Sequence, residues 1–195
     1  GVKVKVIEMM PEILGAMDKE ASAMLRNEYA KKGVEFHLNT KVIEVNPKEV
    51  IVEKDGKVNA IPADRILVSV GRRAITKDLG LESLSIETDR RGVRVNEYMQ
   101  TSHPHVYAAG DITGFSQLAH TAYREGEVAV NHILGHEDRM DYRAIPAVVY
   151  TNPEVAGVGK TEEELKANGE YYNLVKIPMT YSGRFVAENE TGNGL

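Results

Sequence analysis

The residues best suited to chemistry lie in one stretch, residues 101–114, Thr-Ser-His-Pro-His-Val-Tyr-Ala-Ala-Gly-Asp-Ile-Thr-Gly. A polar turn around Pro104 leads into the apolar run Val106, Tyr107, Ala108 and Ala109, which stops at Gly110-Asp111. That pattern predicts a buried strand delivering one carboxylate to its carboxyl end. There Gly110 lets a ligand approach the backbone, and Asp111 can accept hydrogen bonds from hydroxyls. A bare Gly-Asp dipeptide is more often an Asx turn closing a strand; the surrounding pattern is what favours a binding role. Gln117, Leu118, Ala119 and His120 follow at the start of a segment whose Leu118, Ala122, Val128, Ala129 and Ile133 recur at near-helical spacing up to Gly135. The amino end of that helix would turn free N–H groups and a positive dipole end toward the Asp111 site, ready for a ring oxygen or a phosphate.

Other candidates carry weaker signals. Glu8 ends an opening run of Val2, Val4, Val6 and Ile7. A carboxylate at such a strand end in a dinucleotide-binding unit accepts hydrogen bonds from ribose hydroxyls and repels a 2'-phosphate, while its plainer reading is a solvated strand-end Glu. Gly71 follows the apolar run at residues 65–70, again at the carboxyl end of an expected strand, with Arg72 and Arg73 beside it. His103 and His105 stand two apart on an extended segment and would project to one side, but no third ligand is suitably spaced, so no metal site is expected. With no cysteine in 195 residues, a disulfide scaffold, a thiolate metal site and a thiol nucleophile are excluded within this chain. No catalytic residue is assigned.

The elements that must hold these groups follow in order. Asp18 caps a helix over residues 19–32, with Ala21, Met24, Leu25 and Tyr29 as its apolar stripe and Gly33 as its stop. Residues 34–38 complete a strand, helix, strand unit. Short alternating strands are expected at residues 42–45, 50–53 and 58–61, with Asp55-Gly56 as a hairpin turn, followed by an apolar strand at 65–70. A short strand is expected at 93–95, strand segments at 147–150 and 155–158, and another strand at 174–179. Thr161 and Glu164 form a capping box for a short helix ending at Gly169. Gly192-Asn193-Gly194-Leu195 carries a hairpin signal.

Composition sets the class. A net charge of -5, with Lys and Arg interspersed, gives no basic stripe and speaks against nucleic acid. No run of about 18 apolar residues and no charged-then-apolar leader is present, so membrane insertion and secretion are not expected and a cytoplasmic location is. The expected fold class is α/β, with partial dinucleotide-binding, Rossmann-like domains, a small antiparallel crossover sheet, and the start of an α+β dimer-interface domain. The domain boundaries are expected at residues 1–74, 75–137 and 138–195.

Taken together in this order, the marks resemble the pyridine nucleotide-disulfide oxidoreductase family, and within it the branch that oxidises dihydrolipoamide. They are Val6-Ile7-Glu8, Val68-Ser69-Val70-Gly71-Arg72-Arg73, residues 101–114, Leu118-Ala119-His120, and the run at 150–159, Tyr-Thr-Asn-Pro-Glu-Val-Ala-Gly-Val-Gly. The likeness extends over essentially the whole chain, although Ala74-Ile75 stands where the family usually has Pro-Asn. It implies that Glu8, Val42 and Gly71 line an NAD site, and that Gly110, Asp111, Gln117, Leu118, Ala119 and His120 line an FAD site. It implies a homodimer served by the lipoyl domain of a 2-oxo acid dehydrogenase or glycine cleavage complex. It also implies that the redox-active cysteine pair, both glycine loops and the His-Glu acid-base pair lie outside this chain. The fragment is then expected to be inactive alone.

Overall fold

A computed structural model describes residues 1–189 and 194–195. The described chain forms two compact units, Gly1–Leu67 together with Val148–Leu195, and Val68–Ala147.

In the first unit β1 (Lys5–Ile7) and β2 (Glu35–His37) pair in parallel, Val6 opposite Phe36, with α1 (Lys19–Lys31) as the crossover. A parallel pair requires such a crossover, and α1 is defined at both ends by local chemistry. The Asp18 carboxylate accepts from the Glu20 N–H at 2.8 Å, and Gly33 takes the positive φ of +91° that closes the helix. β3 (Lys41–Asn46), β4 (Glu49–Lys54) and β5 (Lys57–Pro62) form an antiparallel meander with β4 central. Asp55 and Gly56 both adopt left-handed φ values, +51° and +73°, as the tight hairpin joining β4 to β5 demands. Val50 and Val52 alternate into the core beneath the sheet. β6 (Ala147–Val149) pairs with β7 (Val155–Gly157), and α3 (Glu162–Ala167) starts with the expected capping box between Thr161 and Glu164. α4 (Gly183–Asn189) closes the described elements.

The second unit is built around α2 (Ala119–Ile133), whose Val128 and Ala129 pack with Met99 as a buried cluster flanked by Val95, Tyr107 and Met140. The rest is turns and short bridges: Thr88 opposite Val93, and Gln100 opposite Tyr107.

Four expected strands differ. Residues 65–70, 106–109 and 174–179 run without a strand ladder, and Val68 and Val70 are largely exposed. Their apolar sequence is compatible with a strand, but a strand exists only where a neighbour takes its N–H and C=O groups. Among the described residues the only bridge in these runs is the one at Tyr107, and Met179 donates a single N–H to the Gly194 carbonyl. The expected strand at 93–95 is likewise reduced to the bridge at Val93. Residues 192 and 193, half of the hairpin signal at 192–195, lie outside the described residues. No helix among the described residues is long and apolar enough to cross a membrane.

Candidate functional site

Gly110 adopts φ +83° and ψ -156°, a region essentially closed to any residue with a Cβ. The chain therefore turns sharply there and enters a single 3₁₀ turn, Asp111–Thr113, closed by Gly114 at φ +69°. Thr113 fastens the turn by donating both its N–H and its hydroxyl to the Gly110 carbonyl, each at 3.0 Å. Asp111 stands exposed at the head of this turn, and its carboxylate accepts no hydrogen bond from the described residues. It is a fixed acceptor with both oxygens available, which suits a ligand rich in hydroxyls.

Two features hold the turn from behind. The segment Asp89 to Gly92 folds against it: Val93 donates to the Ile112 carbonyl at 2.9 Å, and a Cβ on Gly92 would sit 2.0 Å from the same oxygen. A Cβ on Gly114 would lie 2.4 Å from the Arg91 carbonyl. Only glycine permits backbone contact that close. From the other side α2 contributes Glu125, fully buried, whose two oxygens accept from the Gly110 N–H and the Tyr142 hydroxyl. Burial, and then the hydrogen bond to Glu125, push the Tyr142 phenol above the ordinary tyrosine range, so it remains a neutral donor. Its ring stacks on Phe115 with centroids 5.1 Å apart, and Phe115 in turn carries the Arg91 guanidinium.

The amino end of α2 completes this part of the site. Leu118 is extended at the N-cap and offers no side-chain cap, so Ala119 and His120 open a 15-residue helix without side-chain capping of its first N–H groups. The His120 Nε2 lies 2.8 Å from the Pro146 carbonyl, which orients the ring away from a free role. Gly71, at φ +101°, belongs to the same unit, and next to it Arg72 donates to the Gln117 carbonyl at 2.8 Å. The structure thus gathers Gly71, Gly110, Asp111 and the 117–120 segment within one compact unit.

Glu8 and Val42 belong to the other unit. Glu8 follows β1, with its N–H donating to His37 and its carbonyl accepting from Thr40 at 2.9 Å. One carboxylate oxygen accepts from the Met10 N–H at 2.8 Å, and among the described residues the second accepts from none. That geometry leaves one oxygen for a hydroxyl ligand. Val42 sits half exposed on β3 beside a register shift at Val42 and Glu44. His103 and His105 approach edge to face, rings 6.1 Å apart, and among the described residues no group of three His, Cys, Asp or Glu could hold a metal ion.

Sequence reading missed Glu125 and Tyr142. A Glu in mid-helix reads as solvated surface, and its partners lie 15 and 17 residues away along the chain. The signal that could have found it is its position on the same helical face as Val128 and Ala129, which are core.

The described fold is α/β, with a parallel βαβ unit, an antiparallel meander and a glycine-borne Asp at the head of a turn. The family model for pyridine nucleotide-disulphide oxidoreductases matches residues 1–126, and the dimerisation-domain model of the same family matches residues 145–195. The chain belongs to the pyridine nucleotide-disulphide oxidoreductase family. It is 43% identical over 191 residues to the dihydrolipoyl dehydrogenase of Thermus scotoductus, covering 94% of this chain and 41% of that protein. Among solved structures, LpdA from Mycobacterium tuberculosis superposes with a TM-score of 0.82 at 28% identity, over 96% of this chain and 42% of that one. A flavoprotein disulfide reductase of Escherichia coli, RclA in its Cu(II) complex, superposes with a TM-score of 0.81 at 25% identity, over 99% of this chain and 44% of that one. The chain spans about two-fifths of the length of the curated relatives it matches.

Proposed function

We infer that this chain is the central, cofactor-lining part of a flavoprotein that oxidises protein-bound dihydrolipoamide and passes the electrons through FAD to NAD. The observation that carries the reading is the Asp111 turn, where a glycine at positive φ presents an exposed carboxylate that accepts no hydrogen bond from the described residues, beside a helix start with no side-chain cap. Those residues fit a flavin dinucleotide. Asp111 would accept from ribityl hydroxyls, and the 117–120 backbone would donate toward the ring edge. Bound FAD would supply the electron relay between a disulfide and a nicotinamide. The contribution of this chain is orientation: it fixes an acceptor and a set of N–H donors, and contains no thiol to exchange.

Glu8 supports NAD over NADP, since its available oxygen matches a ribose hydroxyl and its charge opposes a 2'-phosphate. The match at 145–195 to a dimerisation domain supports a homodimer. A lipoyl domain of a 2-oxo acid dehydrogenase or glycine cleavage complex is the macromolecular partner of this reading, in a cytoplasmic setting. The boundaries proposed for the parent's domains are residues 1–74 for NAD, 75–137 for FAD and 138–195 for the interface.

The test is a flavin absorbance spectrum of the complete protein, followed by reduction of NAD or NADP with dihydrolipoamide as donor. Yellow protein that reduces NAD, with NADP far slower, is the expected result. Colourless protein, or one indifferent to dihydrolipoamide, would refute the reading.

A further inference from the structure

Glu125 is the one fully buried carboxylate among the described residues, and nothing in the inferred reaction uses it. A buried carboxylate is costly unless its oxygens are satisfied. Here both are: Oε2 accepts from the Gly110 N–H at 2.5 Å and Oε1 from the Tyr142 hydroxyl at 2.7 Å. The first of these bonds falls on the residue before Asp111, at the glycine whose backbone turns the chain into the site. A peptide N–H held from below fixes the plane of the preceding peptide and limits rotation at Gly110, the least restrained residue of the turn. Tyr142, packed under Phe115, fixes the other oxygen and so sets the rotamer of Glu125. The chain of contacts runs from a helix core position to the backbone that carries Asp111, without touching the ligand side.

We propose that Glu125 is the positioning residue of the Asp111 contact, clamping the Gly110 peptide from within α2 while Tyr142 locks the clamp. The proposal rests on the reading of Asp111 as a flavin contact. Its chemistry is that of hydrogen bonding, which sets Gln apart from Asp at this position. An amide in place of Glu125 can still accept from Gly110 through its oxygen and donate to the Tyr142 oxygen, because a hydroxyl serves in either role. An Asp keeps the charge but withdraws the carboxylate by one bond, about 1.5 Å, and reaches both donors no longer.

The complete protein, stripped of flavin and titrated with FAD, supplies the test. Glu125→Gln is expected to hold FAD within about twofold of the unaltered protein, and Glu125→Asp to bind about tenfold more weakly. Tyr142→Phe tests the lock independently, with a loss of about threefold expected. The double substitution Asp111→Ala with Glu125→Asp decides whether Glu125 acts through Asp111. It is expected to bind FAD no more weakly than Asp111→Ala alone, because a displaced turn matters only while it carries the carboxylate. Additive losses, or Glu125→Gln costing as much as Glu125→Asp, would overturn the proposal and leave the flavin reading standing. Asp111→Ala binding FAD as tightly as the unaltered protein would remove both. Should Glu125→Asp fail to fold, the pair Tyr142→Phe and Asp111→Ala decides the same question: non-additive losses support the clamp, and additive losses overturn it.

Discussion

At the scale of single residues, three carboxylates stand in settings that differ. Asp111 is exposed and accepts no hydrogen bond from the described residues, Glu125 is buried and doubly satisfied, and Asp138 is held by the Arg124 guanidinium and the Asn131 amide. The hydrogen bond from Arg124 comes first among the causes that lower the Asp138 carboxyl to about 2. Because its folded value is depressed, the stability Asp138 contributes is present above the ordinary aspartate value, about 4, and is lost as the pH falls toward about 2. Thermal melting from pH 5 down to pH 2.5 is expected to lose less midpoint in Asp138→Asn than in the unaltered protein. Parallel curves for the two would remove Asp138 from the acid response. The contrast also explains what sequence could reveal. Asp18, Asp55-Gly56 and the Thr161-Glu164 box act within four residues of themselves, so their roles are readable along the chain. Glu125 acts across 15 residues, and only the fold brings its partners to it.

At the scale of elements, the decisive contact is the turn at residues 89–92 pressed against the turn at 111–114. Gly92 and Gly114 exist at that contact because any side chain would collide with backbone oxygens at 2.0 and 2.4 Å. Gly92→Ala is expected to destabilise the unit by about 2 kcal/mol or more, since backbone must shift to admit the methyl group. A denaturant midpoint unchanged by that substitution would contradict the packing described. Thr161→Ala at the α3 capping box is expected to cost about 1 kcal/mol, a smaller loss because the helix is short and solvated. Element types are legible where the pattern is complete within the element, as in α1, α2 and the β3 to β5 meander. The runs at 65–70 and 106–109 are legible only as apolar. Whether such a run becomes a strand depends on partners elsewhere, and pairing is a non-local property.

At the scale of the whole molecule, the candidate site is a set of walls. Gly110, Asp111 and the 117–120 segment share one unit with Gly71, whereas Glu8 and Val42, expected to line the same NAD site as Gly71, belong to the other unit. Val70 and Tyr123 are 91% and 83% exposed, with Val130, Ile133 and Leu134 also bare on the same unit. Apolar surface of that kind favours association. The isolated 195-residue chain is accordingly expected to self-associate on sizing and to bind FAD poorly, because it offers no glycine loop for the pyrophosphate. A clean monomer would contradict the first expectation, and stoichiometric tight flavin binding the second. FAD titration of the complete protein bearing Asp111→Ala measures the proposed grip of Asp111 on a flavin dinucleotide. An affinity loss of about tenfold to a hundredfold is expected, the worth of hydrogen bonds to a charged acceptor, with the thermal midpoint of the flavin-free protein unchanged. An Asp111→Ala protein that holds FAD as tightly as the unaltered one would contradict that grip.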